Sequence, residues 1–324
     1  MLHSSSSKNS TIVRSQNAIR LTRAALQAAY IVSGDLGTSL AERLFTSPRR
    51  HARPTRERAI LVGGRPFTVD VPLRAPRWAG QHCRVAAWRW GHGPTVLLVH
   101  GWEGRGSQLG AFIEPLVAAG LSVVAFDAPG HGDSPGHRTY LTDLADAVAA
   151  VAAASGPIHA TIAHSFGAAA VLLAYERDGV DASRNVMIAP NVIIDEGVRR
   201  FAHLVGLDET DRIALEHHLG VSSGVTLEAL RLERLVADRD AGLLVIHDRD
   251  DREVPFVHGD RLAVTWPSAQ LRTTEGLGHR RILRDPDAIA ATVEFVREGV
   301  SAPASDLVRE VDRVLRQTDD AFHP

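Results

Sequence analysis

Ser165 stands where two sequence patterns meet. Ile158 to His164 is an apolar run that suits a buried strand, and Phe166-Gly-Ala-Ala-Ala opens a small-residue helix pattern directly behind it. A serine at such a junction lies on a tight turn with strained backbone. Its hydroxyl is lifted clear of the sheet, and the first amides of the helix point at whatever it attacks. Strand and helix approach closely there, and Ala163 and Gly167 are the small neighbours that this requires. A serine hydroxyl is a weak nucleophile at neutral pH and needs a base within about 2.6–3.2 Å. The chemistry therefore depends on which loops bring a base and its partner to Ser165.

Parallel sheets build their sites from loops at the carboxyl ends of strands, and four further loops carry candidates. His100-Gly-Trp-Glu-Gly-Arg105 bears glycines that can turn a backbone amide toward a substrate carbonyl; its bland alternative is a strand-end turn. Asp127-Ala-Pro-Gly-His-Gly-Asp-Ser-Pro-Gly136 holds Asp127 and His131, a pairing that could suggest acid–base work. Ile246 to Pro255 offers Asp248, Asp250 and Asp251, or is simply a charged, solvated loop. Glu275-Gly-Leu-Gly-His279 places a histidine on a flexible turn after the last strand, although any one of 16 histidines is more often structural or exposed.

Together these segments resemble the α/β-hydrolase fold superfamily, in its serine esterase and lipase-like branch. Ser165 occupies the nucleophile elbow, with Ala163 where the pattern usually has its first glycine. The resemblance implies that the backbone amides of Trp102 and Phe166 form an oxyanion hole, each such donor contributing about 10²–10³ in rate. It gives Asp127 and His131 an architectural role. It places the acid at Asp251 and the base at His279, in the order serine, acid, histidine. Asp248 stands at the pattern's glycine, so Asp248 and Asp250 remain alternative acids. The resemblance covers roughly Thr95 to Glu298, with Ala59 to Gly91 compatible.

The surrounding elements agree with an α/β class. Antiparallel leader strands are expected at Ala59–Val62, Phe67–Val71 and His82–Trp90, because these stretches alternate and are bounded by Gly and Pro. Buried strands are expected at Thr95–Val99, Leu121–Phe126, Ile158–His164, Asn185–Ala189, Leu243–Ile246 and Gln270–Thr274. Helical patterns fall at Gln108–Ala119, Leu141–Ala154, Phe166–Arg177, Pro286–Glu298 and Ala304–Arg316. This rhythm predicts a mostly parallel sheet with helices on both faces. Between Asn191 and Asp240 only helical patterns occur (Val198–Val205, Glu209–Leu219, Leu227–Val236), which predicts a helical lid too small for much core of its own. The organisation is then 1–58 as a disordered tail (Met1 to Ser10) and a helical extension, 59–190 and 241–324 as the hydrolase core, and 191–240 as the lid. Ala18 to Phe45 reads as two helices broken near Gly34 and Gly37, and the Pro- and Arg-rich Ser47–Arg58 reads as a solvated linker.

The chain has 324 residues, 44% of them hydrophobic, and a net charge of -2, which offers no global attraction to nucleic acid or an anionic membrane. Its one cysteine, Cys83, excludes a disulfide framework and reads as a packed thiol. His217 and His218 lack the further ligands that a metal needs, so neither metal nor cofactor is expected. The basic N-terminal stretch has no clean cleavage site and no run long enough to span a bilayer. A cytoplasmic protein is expected, with the N-terminal helices resting on the domain rather than on a membrane surface.

A serine nucleophile points to acyl chemistry and predicts cleavage of a small-molecule carboxylic ester through an acyl-enzyme. Phe201, Leu204 and Leu219 in the lid suggest an apolar acyl or alkyl group, or else they pack the lid onto the core. The alternatives with the same residues are a carbon–carbon bond hydrolase, an acyltransferase, or a ligand sensor that does not turn over.

Overall fold

The computed structural model describes residues 4–237 and 239–298. Eight strands are present: β1 Arg65–Pro72, β2 His82–Trp90, β3 Thr95–Val99, β4 Ser122–Phe126, β5 Ile158–His164, β6 Arg184–Ile188, β7 Gly242–Asp248 and β8 Ala269–Thr274. They form one sheet in the order β1-β2-β4-β3-β5-β6-β7-β8. The leader strands β1 and β2 are antiparallel to their neighbours, and β4 onward run parallel. The mostly parallel sheet expected from the βαβ rhythm is thus present.

Side-chain alternation divides the sheet into two cores. Leu97, Val99, Val124, Phe126, Ala163, Met187 and Val245 face one side, where they meet α5 (Leu141–Ser155), α6 (Phe166–Asp178) and the short α9 (Leu232–Leu235). Val96, Leu98, Val123, Ala125, Ile162, Val186 and Ile246 face the other, against α4 (Ile113–Ala118) and α12 (Pro286–Arg297). Every residue of β3 and β4 is buried, which is why these strands read as continuous apolar runs instead of alternating ones.

A third core lies outside the sheet. Leu26 of α1 (Ser4–Val32) and Ala41 of α2 (Gly34–Phe45) pack with Val198 and Val205 of α7 (Ile194–Val205) and with Leu215 and Leu219 of α8 (Glu209–Ser223). Phe45 meets Phe201 edge-on at 5.1 Å. The N-terminal helices and the insertion therefore supply each other's missing core. Arg23 joins them as well, donating to the Leu204 and His203 carbonyls at the C-terminus of α7 (2.8 and 3.3 Å).

Several local expectations are corrected. Ala59–Val62 is not a strand but the second half of α3 (Thr55–Val62). Its placement is set by buried Glu57, which receives Arg105 through two hydrogen bonds (2.6 and 2.9 Å) and the Ser107 hydroxyl (2.7 Å). Gln108–Ala119 opens as 3₁₀ turns over Gly106–Phe112 before α4. Leu227–Val236 contributes only the four residues of α9. Two further helices are present: α10 (Val257–Thr265) follows the acid loop, and α11 (Gly278–Arg281) carries His279 itself, where a flexible turn is expected. The first helix begins at Ser4, within the stretch expected to be disordered; once nucleated, a helix adds residues at little cost. The expected helix at Ala304–Arg316 lies outside the described residues. No helix among the described residues is long and apolar enough to cross a membrane.

Candidate active site

The turn from β5 into α6 places Ser165 at φ 55°, ψ -125°, a left-handed backbone rare for a residue with a side chain. Neighbouring strands hold it there. Ser165 N–H donates to Ile188 O (3.0 Å), and Asn191 N–H donates to Ser165 O (3.0 Å). Two glycines make the turn possible by close approach. A Cβ on Gly167 would come within 2.5 Å of His100 O, and one on Gly101 within 2.8 Å of Ser165 Cβ.

Ser165 Oγ lies 3.0 Å from His279 Nε2, and His279 Nδ1 lies 2.7 Å from Asp251 Oδ2. All three residues are buried. With Nδ1–H donating to the carboxylate, Nε2 is free to accept the serine proton. Asp251 Oδ1 accepts the backbone N–H groups of Glu253 (2.8 Å) and Val254 (3.0 Å). Burial by itself would raise the Asp251 pKa. Hydrogen bonds from His247, His279 and the Val254 amide outweigh it and hold the carboxyl well below the usual carboxylate range.

The three acids of this loop have different partners. Asp248 accepts the Asp250 amide (3.0 Å), the Thr274 hydroxyl (2.7 Å) and the Leu277 amide (2.9 Å), while Asp250 accepts the Gly276 amide (2.9 Å). Both acids therefore fasten the 274–277 turn that leads into α11 and His279, and neither bonds its ring. This accounts for an aspartate at the position of the pattern's glycine.

Two histidines contact this group that the sequence did not mark for it. His164, at the end of β5, stacks its ring on His279 (4.6 Å between centroids) and its Nε2–H donates to His279 O (3.0 Å). Burial pushes its pKa down to about 3, so it stays neutral. His247 Nε2 faces Val254 O (3.2 Å) and Asp251 Oδ2 (3.5 Å), while its buried Nδ1 has no partner. Its neutral tautomer therefore carries the proton on Nε2, toward the acid loop. Both residues sit within the elbow and acid-loop strings, but only spatial contact reveals what they touch.

On the other side of Ser165, the rings of Trp102 and Phe166 meet edge to face (5.8 Å), and Trp102 also meets His131 (5.5 Å). His100 and His131 hold the loops beneath. His100 Nδ1–H donates to Gly101 O (2.7 Å) and its Nε2 accepts the Ala128 amide (3.0 Å). His131 Nε2 accepts the Glu103 amide (3.1 Å). Burial lowers their pKa values to about 4 and about 3, which leaves both able to accept. Asp127 accepts the Gly106 and Asp133 amides (2.8 and 2.7 Å) and pairs with Arg53 (2.8 Å). None of these groups bonds Ser165.

The apolar residues of the insertion behave differently from the apolar-substrate expectation. Leu219 is in the core shared with α1 and α2, Phe201 packs on Phe45, and Leu204 is half exposed. Among the described residues, no group of three or more His, Cys, Asp or Glu side chains could hold a metal ion. Cys83 is free and buried, its thiol pushed up to about 11 by burial.

A sheet of this topology, with a serine on a strained strand-to-helix turn facing a histidine and a buried acid, defines an α/β hydrolase. The sequence model of the alpha/beta hydrolase family matches residues 96–292, and the chain belongs to that family. Among curated relatives, it is 26% identical over 234 residues to the monoacylglycerol lipase of Mycolicibacterium smegmatis, covering 60% of this chain and 83% of that one. It is 29% identical over 244 residues to the pimeloyl-[acyl-carrier protein] methyl ester esterase of Xanthomonas campestris pv. campestris, covering 62% and 93%. Est1E from Butyrivibrio proteoclasticus, solved with ferulic acid bound, shares the fold at a TM-score of 0.55 and 20% identity, over 67% of this chain and 94% of that one.

Proposed function

We propose that the protein hydrolyses a small-molecule carboxylic ester through an acyl-enzyme on Ser165. The observation that carries this reading is the unbroken hydrogen-bonded line from Ser165 Oγ through His279 to Asp251, at 3.0 and 2.7 Å. Ser165 Oγ attacks the ester carbonyl as His279 Nε2 takes its proton. The tetrahedral oxyanion is stabilised by the Trp102 and Phe166 amides. His279 then protonates the leaving alkoxide as the acyl–oxygen bond breaks. Water then attacks the acyl carbonyl as His279 takes its proton, and His279 passes that proton to Ser165 Oγ as the acyl–Oγ bond breaks and the acid leaves. Asp251 holds the imidazole tautomer throughout and stabilises the imidazolium; its depressed pKa supports a carboxylate that stays ionised.

The Trp102 and Phe166 rings beside the serine support an apolar group on the substrate, a role that Phe201 and Leu219 do not fill. The insertion is read as a lid because it follows β6, whose continuation at Asn191 bonds the serine backbone. Esterase and lipase relatives support the reaction class.

The test is pre-steady-state hydrolysis of p-nitrophenyl butyrate by the protein and by Ser165→Ala. A burst of nitrophenol followed by steady turnover is expected, with kcat reduced by up to about 10⁶ in the variant. If the protein neither turns over the ester nor is labelled on Ser165 by a serine-reactive phosphonate, the proposal fails.

A further inference from the structure

The segment Ser47–Arg53 precedes the residues that the family model matches, yet it lies across the loops beside Ser165. Its composition predicts a solvated linker; instead, three of its arginines are engaged. Arg50 donates to three carbonyls of the 130–136 loop: Gly132 (3.1 Å), Ser134 (2.5 Å) and Gly136 (2.8 Å). Arg53 donates to the Ser107 hydroxyl (2.5 Å) and to Asp127 and Asp133 (2.8 and 3.0 Å). Arg49 reaches Glu103, the residue after Trp102. Its backbone N–H, Nε and Nη2 all donate to that carboxylate (3.2, 2.8 and 3.1 Å), and His51 Nε2 lies 3.5 Å away.

Glu103 needs such holding. Its φ of 55° is left-handed, a conformation that persists in a residue with a side chain only when its surroundings over-determine it. The Glu103 amide is held from below by His131 Nε2 (3.1 Å), and its carboxylate from above by Arg49. Glu103 is the third residue of a turn closed by the Gly104 N–H on Gly101 O (3.0 Å), and Gly101 O shares its peptide unit with the Trp102 N–H, so holding Glu103 holds the turn that orients that N–H.

We propose that Ser47–Arg53 is a strap that sets the oxyanion side of the site, with Arg49 as a positioning residue acting through Glu103. This rests on the ester-hydrolase reading above. Arg49 touches neither the substrate nor the reacting atoms. Its side chain is 79% exposed, whereas that of Glu103 is only 17% exposed. An exposed ion pair contributes little to folding, so removing Arg49 reports on loop geometry with the fold retained. Arg50 and Arg53 bond several buried groups and would not make clean probes.

The experiment compares full-length protein with Arg49→Ala, Arg49→Lys, Glu103→Gln and the Arg49→Ala/Glu103→Gln pair. The readouts are kcat and KM on p-nitrophenyl butyrate, the rate of phosphonate labelling of Ser165, and the melting temperature. Complete loss of an oxyanion donor costs about 10²–10³, so a misplaced donor should lower kcat and the labelling rate about tenfold. KM and the melting temperature should move little. Arg49→Lys should recover part of the loss, and the double variant should be no slower than either single one, because both remove the same contact. An active parent with an equally active Arg49→Ala variant would overturn the strap while leaving the esterase reading intact. So would a loss confined to KM or matched by a fall in melting temperature. If the parent is labelled but does not turn over, the labelling rates alone decide. If it does neither, the strap falls together with the reading on which it rests.

Discussion

At the scale of single residues, the acid loop turns on a choice among Asp248, Asp250 and Asp251. Each could reach a histidine by its position in the sequence. The hydrogen bonds give Asp248 and Asp250 to the backbone at Asp250 and at 276–277 and to the Thr274 hydroxyl, and Asp251 to His279 Nδ1. Asp251→Asn should therefore lower kcat by about 10³–10⁴, the size of effect seen when the orienting acid of a triad loses its charge. Asp250→Asn should retain activity within about tenfold, since its bond to Gly276 steadies the loop without touching the imidazole. Steady-state kinetics on one ester settle the matter: a reversed ranking of the two variants would move the acid to Asp250. His164 and His247 extend the same lesson. His164, kept neutral by burial, stacks on the His279 ring at 4.6 Å, and His247 reaches Asp251; neither contact is visible in the sequence.

At the scale of elements, the N-terminus of α5 carries a buried group with a measurable signature. Asp143 Oδ2 accepts the Tyr140 amide and the Trp78 indole N–H (both 2.9 Å), but its buried Oδ1 has no partner. Burial raises its pKa from 3.8 to about 6. A carboxyl whose folded pKa exceeds its unfolded one binds more protons in the native state across that interval. Its contribution to stability is fully present below the unfolded pKa and is lost as pH rises through the folded pKa. Urea unfolding of the parent should therefore show this group weakening the fold from about pH 4 to 6, by up to about 1.4 kcal/mol per pH unit. Asp143→Asn should remove that slope, and an unchanged pH dependence in the variant would refute the assignment. Asp251 acts in the opposite sense, its depressed pKa stabilising the fold above the ordinary carboxylate range.

At the scale of the whole molecule, the insertion and the N-terminal helices share one core built from two distant parts of the chain. Neither has enough apolar surface to form a core alone, and Leu26 is buried between them at 1% exposure. Leu26→Ala should cost about 2–5 kcal/mol in this region. Hydrogen exchange should quicken together in α1, α2, α7 and α8, with β3 to β7 still protected. Unchanged exchange in α7 and α8 would mean that the two parts do not depend on each other. Buried Glu42 adds a polar link, pairing with Arg138 (2.9 Å), bonding the Tyr140 hydroxyl (2.7 Å) and facing His218 of α8 at 3.5 Å. Through α2 these helices lead into Arg49, Arg50 and Arg53, which bond Glu103, Asp127 and the 132–136 carbonyls.

The sequence by itself determined the strands of the sheet and the loops that carry Ser165, Asp251 and His279. Those signals are local: continuous apolar runs for strands covered on both faces, and turn residues at fixed offsets behind them. The βαβ rhythm then left a parallel sheet as the arrangement that buries both faces. Tertiary structure alone decided the rest. Ala59–Val62 alternates like a strand, yet its segment is a helix because buried Glu57 must meet Arg105, 48 positions away. The Arg-rich stretch reads as solvated because its partners lie 54 to 86 residues downstream. Phe201 and Leu219 suggest a substrate pocket until α1 and α2 are seen covering them. In each case the deciding contact joins residues far apart in the chain, and periodicity within one segment carries no information about its partner.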